Sequence, residues 1–368
     1  MKYVSTRGRA PELGFADVLL AGLANDGGLY VPATWPKLTN RGRRRHDYVD
    51  RAVEVMLPFV TPDIDEVTLT HLCTEAYSTF RHPAVVPLVQ IGANQWVQEL
   101  FHGPTLAFKD VALQLVGRMF DHVLARRGER VTIVGATSGD TGSAAIDGVS
   151  GCDNVDIVIL YPLGRTSEVQ RRQMTTVESS NAHAVAVDGT FDDCQDLVKA
   201  MFNDAPFRKR NNLSAVNSIN WARVMAQTVY YVVASETFVE PSTFVVPTGN
   251  FGNVLAGWIA RKMGAPISDF VLASNTNDIL TRFVNDGDIF CHDVSSWRAN
   301  VWDLGGLLGL RKCFVDARKQ RQCARKNQYC ADRTREIGEE VVVHHLHALC
   351  EILLSNLAED QAQHDARN

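Results

Sequence analysis

Three short segments of this chain combine residue types that can do chemistry. In Phe101–Asp110, reading Phe-His-Gly-Pro-Thr-Leu-Ala-Phe-Lys-Asp, a single lysine, Lys109, follows an aromatic and apolar run. Most lysines are solvated surface groups, and Lys109 carries that ordinary reading as well. An amine desolvated by Phe108 and Leu106, by contrast, has a lowered pKa and can form a Schiff base with a carbonyl compound. In Pro247–Val254, reading Pro-Thr-Gly-Asn-Phe-Gly-Asn-Val, two glycines let the backbone approach a ligand with its N–H groups turned inward. A helix starting there adds its partial positive end, which makes an anion site suited to a phosphate monoester. The plain alternative is an ordinary strand-to-helix turn, and no Gly-Lys-Ser or Gly-Lys-Thr of a Walker loop is present. In Gly135–Ser143, the glycines follow G-x-x-x-G-x-x-G instead of the dinucleotide pattern G-x-G-x-x-G. Hydroxyls and N–H groups at such a helix start can hold a carboxylate, or they can simply cap the helix.

These segments need elements to position them. Segments 46–60 and 66–80 carry apolar residues at helical spacing, for example Val67, Leu69, Leu72, Ala76 and Phe80. From residue 96 the pattern becomes alternating strands and helices. Strands are expected at 131–134, 156–161, 184–187, 244–246 and 269–273, and helices at 141–149, 191–203, 220–236 and 252–263. Continuous apolar strands separated by helices predict a parallel sheet covered on both faces, hence an α/β architecture with ligands where strands run into helix-starting loops.

A Schiff-base lysine, a phosphate cup and a second anion loop in one α/β unit are together what pyridoxal 5′-phosphate requires. Phe101–Asp110 resembles the cofactor-lysine motif of the threonine synthase family. Gly135–Gly142 and Pro247–Asn253 resemble that family's substrate loop and cofactor-phosphate loop. Tyr3–Gly8, Gly22–Pro32 and Asn217–Arg223 (Asn-Ser-Ile-Asn-Trp-Ala-Arg) are similar to further family motifs, in the same order. The resemblance covers about residues 1–290 and points to the bacterial and fungal branch. It implies an α/β pyridoxal-phosphate enzyme of fold type II, like the tryptophan synthase β-subunit, with an incomplete or atypical C-terminal part. The implied domains are an amino-terminal domain at 1–90, a cofactor core at 91–290 and a divergent tail at 291–368.

The resemblance also implies an activity: a carbon–oxygen lyase of threonine biosynthesis that converts O-phospho-L-homoserine and water to L-threonine and phosphate. Lys109 would carry the internal aldimine and, once freed by substrate, act as the mobile base. Gly249, Asn250, Phe251, Gly252 and Asn253 would cup the cofactor phosphate. Ser138, Gly139, Asp140 and Thr141 would face the substrate carboxylate and the ring. Arg223 is a candidate for the substrate phosphate, with a helix-surface ion pair as the alternative, and Asn217 and Ser218 are candidates for the same pocket. A related phospholyase giving a 2-oxo acid, and a non-catalytic remnant, are the competing readings.

Past residue 290 the resemblance ends. Of the eight cysteines, Cys291, Cys313, Cys323, Cys330 and Cys350 lie beyond that point, alongside His292, His344, His345, His347 and His364. The cysteine spacing lacks C-x-x-C pairs, so no metal site is expected. The tail is read as a divergent ending, a metal-binding addition or an out-of-frame or truncated gene, the last being favoured. The 368 residues hold 45% apolar and 21% charged residues, which excludes a disordered, collagen-like or coiled-coil chain. A net charge of −5 leaves no basic footprint for nucleic acid, despite the stretch at 41–45. No signal peptide and no membrane-length apolar run are expected, which predicts a cytoplasmic protein, and the oligomeric state is open.

Overall fold

The computed structural model describes residues 1–39, 47–214, 220–247 and 251–273. The expectations for Asn217, Ser218, Gly249, Asn250, the stretch 41–45 and the tail 291–368 lie outside the described residues.

At the amino terminus, β1 (Tyr3–Ser5), α1 (Phe15–Ala21) and β2 (Tyr30–Pro32) form a small unit in which the two strands pair antiparallel. Next come α2 (Tyr48–Val60) and α3 (Glu66–Ser78), within two residues of the expected helices. Each is started by an aspartate, Asp47 or Asp65, whose side chain accepts from a backbone N–H three residues on. Leu69, Leu72 and Ala76 are buried as their spacing requires, but Val67 is 81% exposed. It lies two residues before Leu69, about 200° away around the helix. An antiparallel hairpin, β3 (Leu88–Gly92) and β4 (Gln95–Gln98), follows.

The 18-residue helix α4 (Asp110–Arg127) has no counterpart among the expected elements. Its first eight residues, Asp110–Gly117, are all buried, and so are Met119, Phe120, Val123 and Leu124. A helix buried nearly all round shows no single apolar stripe for periodicity to find. It ends where the sequence says it must, at Gly128 in the left-handed region.

The α/β part then runs β5 (Val131–Ala136), α5 (Asp140–Val149), β6 (Val155–Pro162), α6 (Glu168–Thr175), β7 (Ala182–Val187), α7 (Phe191–Asn203), α8 (Ala205–Arg210) and β8 (Leu213–Ser214). The four strands form one sheet in the order β7-β6-β5-β8, and every pairing is parallel. Ile133, Ile157 and Ile159 on one face join the main core, and Val134 and Leu160 pack with Cys194 of α7 on the other. The sheet centre is therefore covered on both faces, as its apolar strands predict. At the edge this fails: Val185 of β7 is 44% exposed, because an edge strand has fewer neighbours to cover it.

The last described elements are α9 (Trp221–Glu236), β9 (Ser242–Pro247), α10 (Gly252–Met263) and β10 (Ile267–Ala273), with β9 and β10 paired parallel. All but two of the sixteen α9 residues are buried, and α2, α4 and α10 pack around it. No helix among the described residues is long and apolar enough to cross a membrane.

Candidate active site

Three helix starts and one helix side supply the site. Lys109 is the N-cap residue of α4, Gly139 that of α5 and Phe251 that of α10, and none of the three makes a side-chain capping hydrogen bond. The first N–H groups of α4 bond back to the carbonyls of Ala107, Phe108 and Lys109, and the Thr137 hydroxyl takes the Gly142 N–H of α5, so α10 is the start whose first-turn donors and partial positive charge have no partner among the described residues. Arg223 sits in the first turn of α9.

Lys109 Nζ donates to Asp140 Oδ2 at 3.1 Å and lies 4.6 Å from the centroid of the Phe108 ring. Its side chain is 18% exposed. Burial pushes the amine below its ordinary value of 10.5, Asp140 works against that shift, and the positive charge of Arg223 adds to it. The direction agrees with the sequence expectation, but half of its stated cause does not. Leu106 is 50% exposed and does not desolvate the amine. It occupies a turn with φ of 61°, while Phe108 stays beside the lysine.

The lysine loop is held from behind. Thr105 donates from its N–H and its hydroxyl to the two oxygens of Asp110, at 2.8 and 2.6 Å. Asp110 is fully buried, and burial raises its pKa. The residue next to Lys109 is thus an anchor for the loop.

The loop from β5 into α5 is organised by Thr137, which is buried and was not among the expected site residues. Its hydroxyl accepts from the N–H groups of Gly139 and Gly142, at 3.0 and 2.9 Å. Gly139 has φ of 156°. Ser138 is exposed, whereas Asp140 and Thr141 are half-buried at the head of α5. Ser138, Gly139, Asp140 and Thr141 therefore sit at the lysine's side of the sheet, with Asp140 in contact with it.

Arg223 is 2% exposed, and its Nε and Nη1 have no hydrogen-bond partner among the described residues. The surface ion pair considered from the sequence is overturned by this burial, since α9 runs through the core and no face of its first turn reaches solvent. Burial alone pushes the guanidinium down to about 10. A buried cation with unpaired donors is costly, so its persistence calls for an anion.

At the far side, Phe251 adopts φ of 54° just before Gly252 and Asn253, the first two residues of α10. Asn253 Oδ1 accepts from the hydroxyls of both Tyr230 and Tyr231, the latter at 2.9 Å. Burial raises both phenols, so both remain donors. These tyrosines lie two turns along α9 from Arg223, about 10 Å away along the axis. One helix thus ties the lysine's neighbourhood to the α10 start. Neither tyrosine was expected from the sequence, and nothing in their spacing marks them out within a helix that is buried nearly all round.

The residues present fit pyridoxal phosphate by this donor set. They offer a half-buried primary amine with its charge disfavoured, the uncapped start of α10, the free N–H groups at the head of α5 and a buried guanidinium with no anion on it among the described residues.

Comparison with known proteins agrees with the expected family, but the second family model runs on to residue 329, past the residue 290 at which the resemblance was expected to end. The family model described as threonine synthase N terminus matches residues 2–77, and that described as pyridoxal-phosphate dependent enzyme matches residues 82–329. The threonine synthase of Pseudomonas aeruginosa is 57% identical over 291 residues, covering 77% of this chain and 62% of the relative. That of Saccharomyces cerevisiae is 46% identical over 308 residues, covering 77% and 60%. The chain spans about three fifths of the length of these curated relatives. Among solved structures, pyridoxal-phosphate-bound threonine synthase of Brucella melitensis superposes with a TM-score of 0.78 at 56% identity, covering 80% of this chain and 65% of that one. Threonine synthase of Escherichia coli gives 0.71 at 34% identity, covering 82% and 71%. Two family models in chain order, together with a shared fold at high identity, settle the kinship: this chain belongs to the threonine synthases, within the pyridoxal-phosphate dependent enzyme family.

Proposed function

We propose that the chain acts as a threonine synthase, converting O-phospho-L-homoserine and water to L-threonine and phosphate with pyridoxal 5′-phosphate held on Lys109. In this reading residues 1–90 form the amino-terminal domain and 91–290 the cofactor core. The observation that carries it is the buried guanidinium of Arg223, whose Nε and Nη1 have no partner among the described residues, within electrostatic reach of the Lys109 amine. A substrate with a phosphate and an amino acid head supplies both the missing anion and the amine that displaces lysine.

When bound, the cofactor supplies an electron sink that makes the substrate α-proton removable. The remaining work falls to the chain's own groups. Phe251, Gly252 and Asn253, with Gly249 and Asn250, hold the cofactor phosphate at the α10 start. The N–H groups at Asp140 and Thr141, with the Ser138 hydroxyl and the turn that Gly139 allows, orient the substrate carboxylate. Arg223 grips the leaving phosphate through its planar fork, aided by Asn217. Lys109 Nζ accepts and returns protons; its lowered pKa keeps a neutral fraction available, and Asp140 Oδ2 steadies the charged form. Phe108 excludes water from one side of that amine.

The test is to load the purified chain with pyridoxal phosphate, reduce with borohydride and map the labelled peptide, then assay O-phospho-L-homoserine. Label on Lys109, with threonine and phosphate in equal amounts, is the expected result. Label elsewhere or none would overturn the cofactor assignment. Phosphate released with 2-oxobutanoate in place of threonine would overturn the reaction assignment.

A further inference from the structure

The short helix α6 has no role in the reaction as derived above, yet it touches both sides of Lys109. It buries little: Met174 is its one buried residue, Val169 is 65% exposed, and Glu168 pairs with Arg171 and Arg172 of the same helix. Its links inward are two glutamines, three residues apart and so on one face. Gln170 Nε2 donates to Asp140 Oδ1 in a short hydrogen bond, and Gln173 Nε2 donates to the Thr105 carbonyl at 2.9 Å. Asp140 is the residue on the Lys109 amine, and Thr105 is the residue that holds Asp110 beside Lys109.

The orientation of the Gln170 amide is itself fixed. Ser167, the N-cap of α6, donates from its hydroxyl to Gln170 Oε1 at 2.8 Å. With the oxygen so occupied, the NH2 group is turned toward Asp140. Gly139 leaves room for this: a Cβ there would collide with the Gln170 amide. Asp140 needs such a hold, because its side chain is 47% exposed and a free carboxylate at that exposure turns to water.

We propose that Gln170 is a positioning residue for Lys109, holding Asp140 so that Oδ2 stays on the amine while Gln173 fixes the lysine loop to the same helix. Its interest rests on the reading of Lys109 as the reactive amine, but the device is built from the chain alone and is present without cofactor. The charged groups that act on the Lys109 amine are Asp140 from α5, Arg223 from α9 and Asp110 from α4, and Gln170 changes the effect of the first only.

The test uses the full-length, cofactor-free chain. Lys109 is labelled with a brief pulse of acetic anhydride across a pH series, and its modification is read by peptide mass spectrometry. In Gln170→Ala, Asp140 is released and the charged amine loses support. The labelling midpoint falls by about half a unit to one unit, which is roughly 3- to 10-fold more labelling at a fixed pH below it. Asp140→Asn alone lowers the midpoint, and Gln170→Ala added to it produces no further shift. Increased labelling with an unchanged midpoint would mean that α6 merely loosened and uncovered the lysine, which overturns the proposal. An equal Gln170→Ala shift in the Asp140→Asn background, or no shift at all, overturns it too. The borohydride experiment fails or succeeds separately, since no cofactor and no turnover enter this measurement.

Discussion

At the residue scale, Lys109 and Arg223 are two cations placed near each other in a poorly solvated site, and both are harder to charge than usual. That arrangement destabilises the chain until an anion arrives, which gives Arg223→Leu a distinctive pair of outcomes. The melting temperature of the ligand-free variant stays level or rises, because an unpaired buried charge is removed. The KM for the phosphorylated substrate rises roughly 10- to 100-fold, the worth of a lost charge-assisted hydrogen bond. Steady-state kinetics and a thermal melt on one preparation check both.

Lys109 yields a pH prediction. Its pKa is lowered on folding, so between the folded value and 10.5 the unfolded chain holds more protons. The penalty is fully present below the folded value and disappears as pH rises past 10.5. Stability therefore gains with pH across that window, and Lys109→Met removes this part of the gain. Urea midpoints of both proteins at several pH values from 8 to 10.5 measure it, and identical slopes would contradict it.

At the element scale, the meeting of Lys109 with Asp140 depends on how α4 and α5 cross. A Cβ on Gly117 of α4 would collide with the Gly148 carbonyl, and one on Gly148 would strike the Leu113 carbonyl. The two helices touch backbone to backbone, eight residues past Lys109 on one and eight past Asp140 on the other. Equal distances from a tight crossing bring the two helix starts together. The small residues of 141–149 serve this close approach. Gly148→Ala should cost about 1–3 kcal/mol by overpacking, read as a lower urea midpoint, and should alter Lys109 labelling by parting the helices.

At the scale of the whole molecule, the amino-terminal elements clamp the start of α9. Trp221 Nε1 donates to the Tyr3 hydroxyl at 3.1 Å, that hydroxyl donates to the Phe59 carbonyl at 2.8 Å, and the rings of Tyr3, Trp35 and Phe59 surround the indole. Asn220 Nδ2 adds a bond to the Leu19 carbonyl at 2.9 Å. Arg223 is the second residue past that tryptophan, so the amino-terminal part positions the helix turn that carries Arg223. Trp221→Ala is expected to cost about 3–5 kcal/mol and to weaken substrate binding at Arg223, measured by denaturation and by KM. Loss of stability with an unchanged KM would separate the clamp from the site.

What the sequence determined by itself was local. Strand runs such as Val131–Val134, the helix starts after Gly139 and Phe251, and the lysine behind Phe108 are set by neighbours a few residues away. Propensity and glycine placement report those directly, and the family motifs lie in the same segments. Tertiary structure decided what depends on distant partners. It made α4 a helix without a visible stripe, because burial on every side erases amphipathicity. It buried Arg223 instead of pairing it at a surface, and it turned Leu106 outward. It brought Gln170, thirty residues along the chain, onto Asp140. Hydrogen bonds and charge shifts fall off over a few ångströms, so which groups share a site is known only once the chain has folded.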